Sequence, residues 1–267
     1  MTSPIRLAIH GASGRMGRAL LALVREDQRF ELVAALVSAG SPLNGTPVFA
    51  ELPASLHYSH DWNALAVDVV IDFSGPDGLA AALAHCRANN TALVTGTTGI
   101  DASLQATLDE AARHIPVLHA ANFSLGVAVL KRLLREAAAA LPDWDLEIIE
   151  AHHGRKEDAP SGTALALGDA AAQARSTTLA KDAVYVREGR PGARRSGSIG
   201  FAVVRGGDVV GEHTALLLSQ GERVELSHRA TDRSIFARGA LEAAAWLAGK
   251  APGTHRIDDM LAARLTV

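Results

Sequence analysis

The residues best suited to chemistry stand close together in the string Glu150-Ala151-His152-His153-Gly154-Arg155-Lys156-Glu157-Asp158-Ala159-Pro160-Ser161-Gly162-Thr163-Ala164. A histidine exchanges protons near neutral pH, and Lys156 adds a fixed positive charge or a second proton donor close by. Ser161, Gly162 and Thr163 precede a helix predicted over Ala164 to Ala174, so unpaired backbone amides and two hydroxyls are available there to bind a carboxylate. Acid-base chemistry on an anionic substrate, with His152 and Lys156 as its agents, is the natural reading. The plainer alternative is that Ser161 only caps the helix and both histidines lie on a solvated loop. Adjacent histidines in extended chain point to opposite sides, so His152 and His153 do not chelate one metal. No spaced set of cysteine, histidine or carboxylate completes a site, and no metal is expected.

A second cluster lies near the start of the chain. Ile5 to Ile9 reads as a strand and runs directly into His10-Gly11-Ala12-Ser13-Gly14-Arg15-Met16-Gly17, after which an amphipathic helix carries Leu20, Leu23 and Val24. The spacing is G-x-x-G-x-x-G. Gly11 can make the tight turn, Gly14 can let backbone amides approach a pyrophosphate, and Gly17 can let helix and strand pack closely. A chain with 24 glycines places some at such intervals in ordinary turns, so the position at a first strand-to-helix junction carries the inference.

A dinucleotide site of this kind also expects a carboxylate at the end of the second strand, to hold the adenosine ribose. Here that end reads Leu36-Val37-Ser38-Ala39-Gly40-Ser41. Nothing there repels a 2′-phosphate, and Ser38, Ser41 and Arg15 can donate to one, so NADPH is expected ahead of NADH, with NADH also accepted. Three further segments end predicted strands where ligands of open α/β sheets bind: Phe73-Ser74-Gly75, Gly96-Thr97-Thr98-Gly99 and Ala120-Ala121-Asn122-Phe123-Ser124. Their small and hydroxylated residues suit a nicotinamide ribose and carboxamide, although the same residues also suit helix caps.

The elements that must position these residues follow from periodicity. Strands are predicted at Val33 to Val37, Val67 to Phe73, Ala92 to Thr95 and Val117 to Ala120, with helices over Leu79 to Asn89 and Asp101 to His114. Repeated strand-helix-strand units imply a doubly wound, Rossmann-like parallel sheet. After Leu141 the texture changes. A strand at Glu147 to Ile149 leads into the polar loop, and later strand-like runs are separated by turns at Gly206-Gly207 and Gln220-Gly221. Such turns read as antiparallel hairpins, hence an α+β domain with a mostly antiparallel open sheet. The expected division is a dinucleotide-binding domain over 1–123, completed by 232–267 with a helix over Ile235 to Leu247, and a substrate-binding domain over 124–231. The glycine turn and the His152 loop fall in different domains, yet one hydride-transfer geometry needs both.

Composition narrows the class of partner. Of 267 residues 48% are hydrophobic, enough for a sizeable core, and 26 Lys and Arg stand against 29 Asp and Glu. No global field draws such a chain to nucleic acid or to an anionic membrane, so a small molecule is the expected partner. Apolar runs such as Leu79 to Ala84 fall far short of the ~20 residues of a spanning helix. With one cysteine, Cys86, and no leader pattern ahead of Ile5, a cytoplasmic protein without disulfides is expected. Cys86 lies in a helix-like stretch rather than a turn, which argues against a thioester-forming dehydrogenase.

The combination of GASGRMG, the GTTG of Gly96 to Gly99, the AANFS of Ala120 to Ser124, and EAHHGRKEDAPSGTA resembles the dihydrodipicolinate reductase family. The match keeps the same order and compatible spacing from the first strand to beyond Gly211-Glu212-His213-Thr214. The resemblance implies hydride transfer from a reduced nicotinamide to the cyclic imine left when 4-hydroxy-tetrahydrodipicolinate loses water, giving tetrahydrodipicolinate on the way to lysine and diaminopimelate. It implies His152 and Lys156 as catalytic groups and His153, Gly162 and Thr163 as substrate-binding positions, to which the helix-start reading adds Ser161. It maps the cofactor positions to Gly11, Ala12, Ser13, Gly14, Arg15 and Met16, to Gly96, Thr97 and Thr98, and to Ala120, Ala121, Asn122 and Phe123, and the strand-end reading above adds Ser38 and Phe73. A homotetramer built on the second domain is implied too. Many family members carry an acidic residue and an arginine where this chain has Val37-Ser38, which bears on cofactor choice. Two other readings stand beside it: another dehydrogenase of an amino-acid precursor, and a dinucleotide sensor without turnover.

Overall fold

A computed structural model describes residues 3–51, 56–62 and 66–265. The chain divides into two compact units, one running to Phe123 and resuming at Ser234, the other Ser124–Arg233. Among the described residues no helix is long and apolar enough to cross a membrane.

The first unit begins β1 (Ile5–His10), α1 (Arg15–Val24), β2 (Phe30–Leu36), β3 (Tyr58–Ser59), β4 (Val69–Asp72), α2 (Pro76–Asn89), β5 (Ala92–Thr95), α3 (Ala102–Ala112) and β6 (Pro116–His119). The second unit contains α4 (Leu125–Ala140), β7 (Asp145–His152), α5 (Gly162–Ala174), α6 (Leu179–Asp182), β8 (Ala183–Val184), β9 (Ile199–Arg205), β10 (Gly211–Leu218) and β11 (Arg223–Ala230). The chain then returns to the first unit with α7 (Ser234–Leu247), β12 (Gly253–His255) and α8 (Ile257–Ala263).

Seven strands of the first unit pair in the order β12-β6-β5-β4-β1-β2-β3, every neighbour parallel. β4 and β5 are buried at all four positions, as strands covered on both faces must be. Leu79, Leu83, Leu108 and Ala111 of α2 and α3 pack against Ala8, Val70, Leu93 and Val117 on one face. α7 lies against β4, β5, β6 and α1. The strand order reverses between β1 and β4, since β1 is followed on one side by β2 and on the other by β4. The carboxyl ends of these two strands therefore open the crevice in which doubly wound folds bind ligands.

The second unit holds a mixed sheet in the order β11-β10-β7-β9-β8. β10 runs antiparallel to both β11 and β7, whereas β9 runs parallel to β7 and β8. The turn at Gln220-Gly221 closes the β10–β11 hairpin as the sequence suggests. The Gly206-Gly207 turn does not make a hairpin: β7 lies between β9 and β10, and the connection crosses its end. Gly206 N–H donates to the His152 carbonyl there, and His153 N–H to the Val209 carbonyl. α4 is an element the periodicity reading leaves out. Its Leu130, Leu134 and Ala138, spaced by about one helical turn, join Leu167 and Ala171 of α5 over Leu146, Ile148, Phe201, Ala215 and Leu217 of the sheet.

Candidate functional site

In the first unit the glycine turn is shaped by close backbone approach. Gly11 has a φ of +80°, and a Cβ there would lie 2.6 Å from the Phe73 carbonyl oxygen; a Cβ on Gly17 would meet Gly11 O at 2.3 Å. The turn is thus pressed against the end of β4 and against its own helix, and only glycine fits at either place. Gly11 and Ala12 amides are taken by the Leu36 carbonyl at 3.0 and 2.9 Å. Gly14 caps α1 and supplies no side-chain acceptor to the first turn. Ser13 and Met16 are half-buried, Gly14 and Arg15 exposed.

The other cofactor candidates converge on the same sheet edge. The Phe73 ring lies over Gly96, where a Cβ would sit 2.0 Å from a ring carbon, and meets the Phe123 ring edge-on at 5.6 Å. His119 donates from Nε2 to the Thr97 carbonyl, and the Ala120 amide donates to Thr95. Thr98 and Ala121 are exposed and Asn122 half-buried. Ser38 stands exposed past β2, its carbonyl accepting from the Ser41 amide.

Asp72, not singled out from the sequence, ties this edge together. It is fully buried. One carboxylate oxygen accepts from His10 Nδ1 at 2.8 Å and Ser74 Oγ at 2.5 Å, the other from Thr95 and Thr97 hydroxyls at 2.8 Å each. Burial alone raises a carboxyl pKa, but here the bonds from His10, Ser74 and Thr97 outweigh it and hold Asp72 below the usual value. Thr97 Oγ1 in turn accepts the Gly75 amide at 3.2 Å. The sequence signal is a carboxylate closing an otherwise apolar strand, Val69-Val70-Ile71-Asp72.

In the second unit β7 alternates faces, which buries Glu150 and His152 together. His152 Nδ1 lies 2.6 Å from Glu150 Oε2. A carboxylate only accepts, so the proton is on Nδ1 and Nε2 is the nitrogen left for exchange. Nε2 points toward Gly211 at the start of β10, where a Cβ would come within 3.0 Å of it. Arg205 grips both oxygens of Glu150 at 2.8 Å, and the Ser161 amide donates to Oε1 at 2.9 Å. Burial pushes Glu150 up, but the bonds from Arg205, His152 and Ser161 prevail and keep it below its ordinary pKa, a charged anchor.

Ser161 starts α5 with its hydroxyl accepting from the Ala164 amide and pairing with His213 Nε2, both at 3.2 Å. That hydroxyl is buried and caps the helix start. Gly162 is exposed and Thr163 half-buried at the same helix end. Lys156 donates to Asp158 Oδ1 at 2.7 Å. At His153, partial burial and the charges of Arg233, Arg155, His152 and Lys156 push the pKa down. His213, its ring edge-on to His152 at 5.2 Å, is lowered to about 4 by burial. Glu150, Arg205 and His213 were not identified as site residues from the sequence. Only Glu150 has a local signal, its two-residue spacing from His152.

Cys86 is fully buried, and burial raises its thiol pKa, so it offers no thiolate.

Residues 5–123 match the family model described as dihydrodipicolinate reductase, N-terminus, and residues 126–261 the one described as dihydrodipicolinate reductase, C-terminus. A 4-hydroxy-tetrahydrodipicolinate reductase of Xanthomonas campestris pv. campestris is 48% identical over 263 residues, covering 97% of this chain and 99% of that one. Among solved structures, a dipicolinate-bound dihydrodipicolinate reductase from Paenisporosarcina sp. TG-14 superposes with a TM-score of 0.76 at 25% identity, covering 95% and 97% of the two chains. A probable dehydrogenase from Thermotoga maritima, 12% identical with a TM-score of 0.61 over 98% and 94%, shares the fold.

Proposed function

The chain belongs to the dihydrodipicolinate reductase family, and on that premise we infer that it is the NAD(P)H-dependent reductase of lysine and diaminopimelate biosynthesis. It reduces 4-hydroxy-tetrahydrodipicolinate, by way of the dehydrated cyclic imine, to tetrahydrodipicolinate. The observation that carries the chemistry is the buried Glu150–His152 pair, set beside Lys156 and the start of α5.

In this reading His152 exchanges the proton through Nε2, its tautomer held by Glu150. Lys156 donates a proton and balances negative charge. The Gly162 amide, the Thr163 amide and hydroxyl, and His153, whose pKa burial and neighbouring positive charges push down, bind the substrate carboxylates. Ser161 positions the helix start. Gly11, Ala12, Ser13, Gly14, Arg15 and Met16 form the turn at the amino terminus of α1 where the pyrophosphate binds. Phe73, Gly96, Thr97, Thr98, Ala120, Ala121, Asn122 and Phe123 line the nicotinamide end. The nicotinamide supplies the hydride when bound. NADPH is the preferred cofactor, with Ser38 and Arg15 toward the 2′-phosphate, and NADH is also used.

The five-stranded sheet supports a homotetramer, since α4 and α5 cover one face while Ile149, Ala151, Leu216 and Leu218 on the other are only half-buried and Val204 is 53% exposed. A cytoplasmic location accords with a lone reduced thiol. The test is loss of reduced-nicotinamide absorbance with freshly generated substrate. Substrate-dependent NADPH oxidation is expected, abolished to background by His152→Gln. NADPH binding without turnover identifies a dinucleotide sensor and overturns the reading.

A further inference from the structure

Asp158 has no part in the reading above, yet its carboxylate stands on a group assigned there to the substrate. Lys156 Nζ donates to Asp158 Oδ1 at 2.7 Å. The Lys156 hydrogen bond and charge, helped by nearby backbone amides, outweigh burial and hold the Asp158 carboxyl below its ordinary pKa. The Lys156 ammonium is thus already shared with an anion of the protein's own.

The loop does not depend on that contact for its shape. The Asp158 carbonyl accepts from Arg205 Nη2 at 2.7 Å, and three residues on the Ser161 amide is held by Glu150 at 2.9 Å. The backbone on either side is clamped through the buried Arg205–Glu150 pair, while the Asp158 side chain is 58% exposed and has room to swing away. Its neighbour Glu157 is exposed too, and has no bond to Lys156.

We propose that Asp158 is a built-in occupant of the substrate-carboxylate position, displaced by a carboxylate of the incoming substrate, so that it sets substrate affinity by competition. The proposal rests on the reading that sets Lys156 at the substrate, where its charge balances a carboxylate. An internal competitor raises the apparent Kd by the inverse of the fraction of time the position stands vacant. A half-exposed ion pair is worth little, so the expected factor is about two- to fivefold.

Titration calorimetry of the full-length protein with 2,6-pyridinedicarboxylate, a planar dianion resembling the substrate ring, tests this. Asp158→Ala and Asp158→Asn are expected to bind it about two- to fivefold more tightly than the wild type, with a matching fall in the substrate KM. Glu157→Gln removes the same charge one residue away and is expected to leave affinity unchanged. Unchanged or weaker binding in both Asp158 variants overturns the proposal, as does equal tightening in Glu157→Gln, which reduces the effect to net charge. A wild type that binds no dicarboxylate refutes the substrate-site assignment itself, and the competition falls with it.

Discussion

Glu150 and His152, two positions apart on β7, share a 2.6 Å hydrogen bond that decides which nitrogen of the histidine remains for chemistry. Arg205 sits on the same carboxylate at 2.8 Å from each oxygen. The glutamate is therefore anchored as an anion and sets the orientation of the ring, while its charge is partly met by the arginine.

Two substitutions separate chemistry from positioning. His152→Gln removes proton exchange but keeps much of the volume, so kcat falls by about a hundredfold or more while cofactor affinity barely changes. Glu150→Gln leaves His152 in place but replaces an acceptor-only carboxylate by an amide that can face Nδ1 with either its oxygen or its NH2, and kcat falls by about tenfold to a hundredfold. The distinguishing measurement is the ¹⁵N spectrum of the His152 ring, where the Nδ1–H form dominates in the wild type and not in Glu150→Gln. Near-normal kcat in His152→Gln across the pH range makes this residue a bystander.

Thr163→Val deletes one hydroxyl at the start of α5 and leaves the backbone amides. If that hydroxyl donates to a substrate carboxylate, kcat/KM falls by about 1.5 to 3 kcal/mol, expressed in KM. Steady-state kinetics at saturating NADPH measure it, and a loss confined to kcat assigns Thr163 to the chemistry instead.

How far the sequence reached depends on how local each signal is. The parallel sheet and the glycine turn were legible because strand, turn and helix follow one another within about twenty residues. The pairing of β9 was not. Gly206-Gly207 has the composition of a hairpin turn, and only the insertion of β7, more than fifty residues upstream, turns it into a crossover. Arg205 was hidden for the same reason, reaching Glu150 through β7–β9 pairing that places it beside His152. α4 went unread although its Leu130, Leu134 and Ala138 carry the helical period. The residues that bear directly on the proposed chemistry were visible in one string; those that orient them come from three strands.

Cofactor preference tests the end of β2. Val37 is buried and Ser38 exposed there, with no carboxylate to hold the ribose hydroxyls of NADH or to repel a 2′-phosphate. NADPH is expected to give a kcat/KM at least equal to that of NADH. A tenfold or greater preference for NADH, about 1.4 kcal/mol, rejects the assignment of Ser38 and Arg15.

His213 makes stability depend on pH in a direction that follows from its burial. Its pKa is lowered from 6.5 to about 4, since the buried ring resists charge and His152 is close by. Above pH 6.5 neither the folded nor the unfolded chain protonates this residue and nothing is lost. Below it the unfolded chain takes up a proton that the folded chain refuses, so stability falls as pH drops from 6.5 toward 4. At pH 5 the loss attributable to this residue is about 2 kcal/mol. His213→Gln keeps a polar group toward Ser161 Oγ but cannot titrate. Urea unfolding at pH 7.5 and pH 5 is expected to show a smaller difference between the two pH values in the variant, by about 2 kcal/mol, even though the variant is less stable at pH 7.5. An undiminished difference places the acid sensitivity elsewhere, with Glu150 and Asp72, whose lowered carboxyl pKa values also withdraw stability as pH falls, as the groups to substitute next.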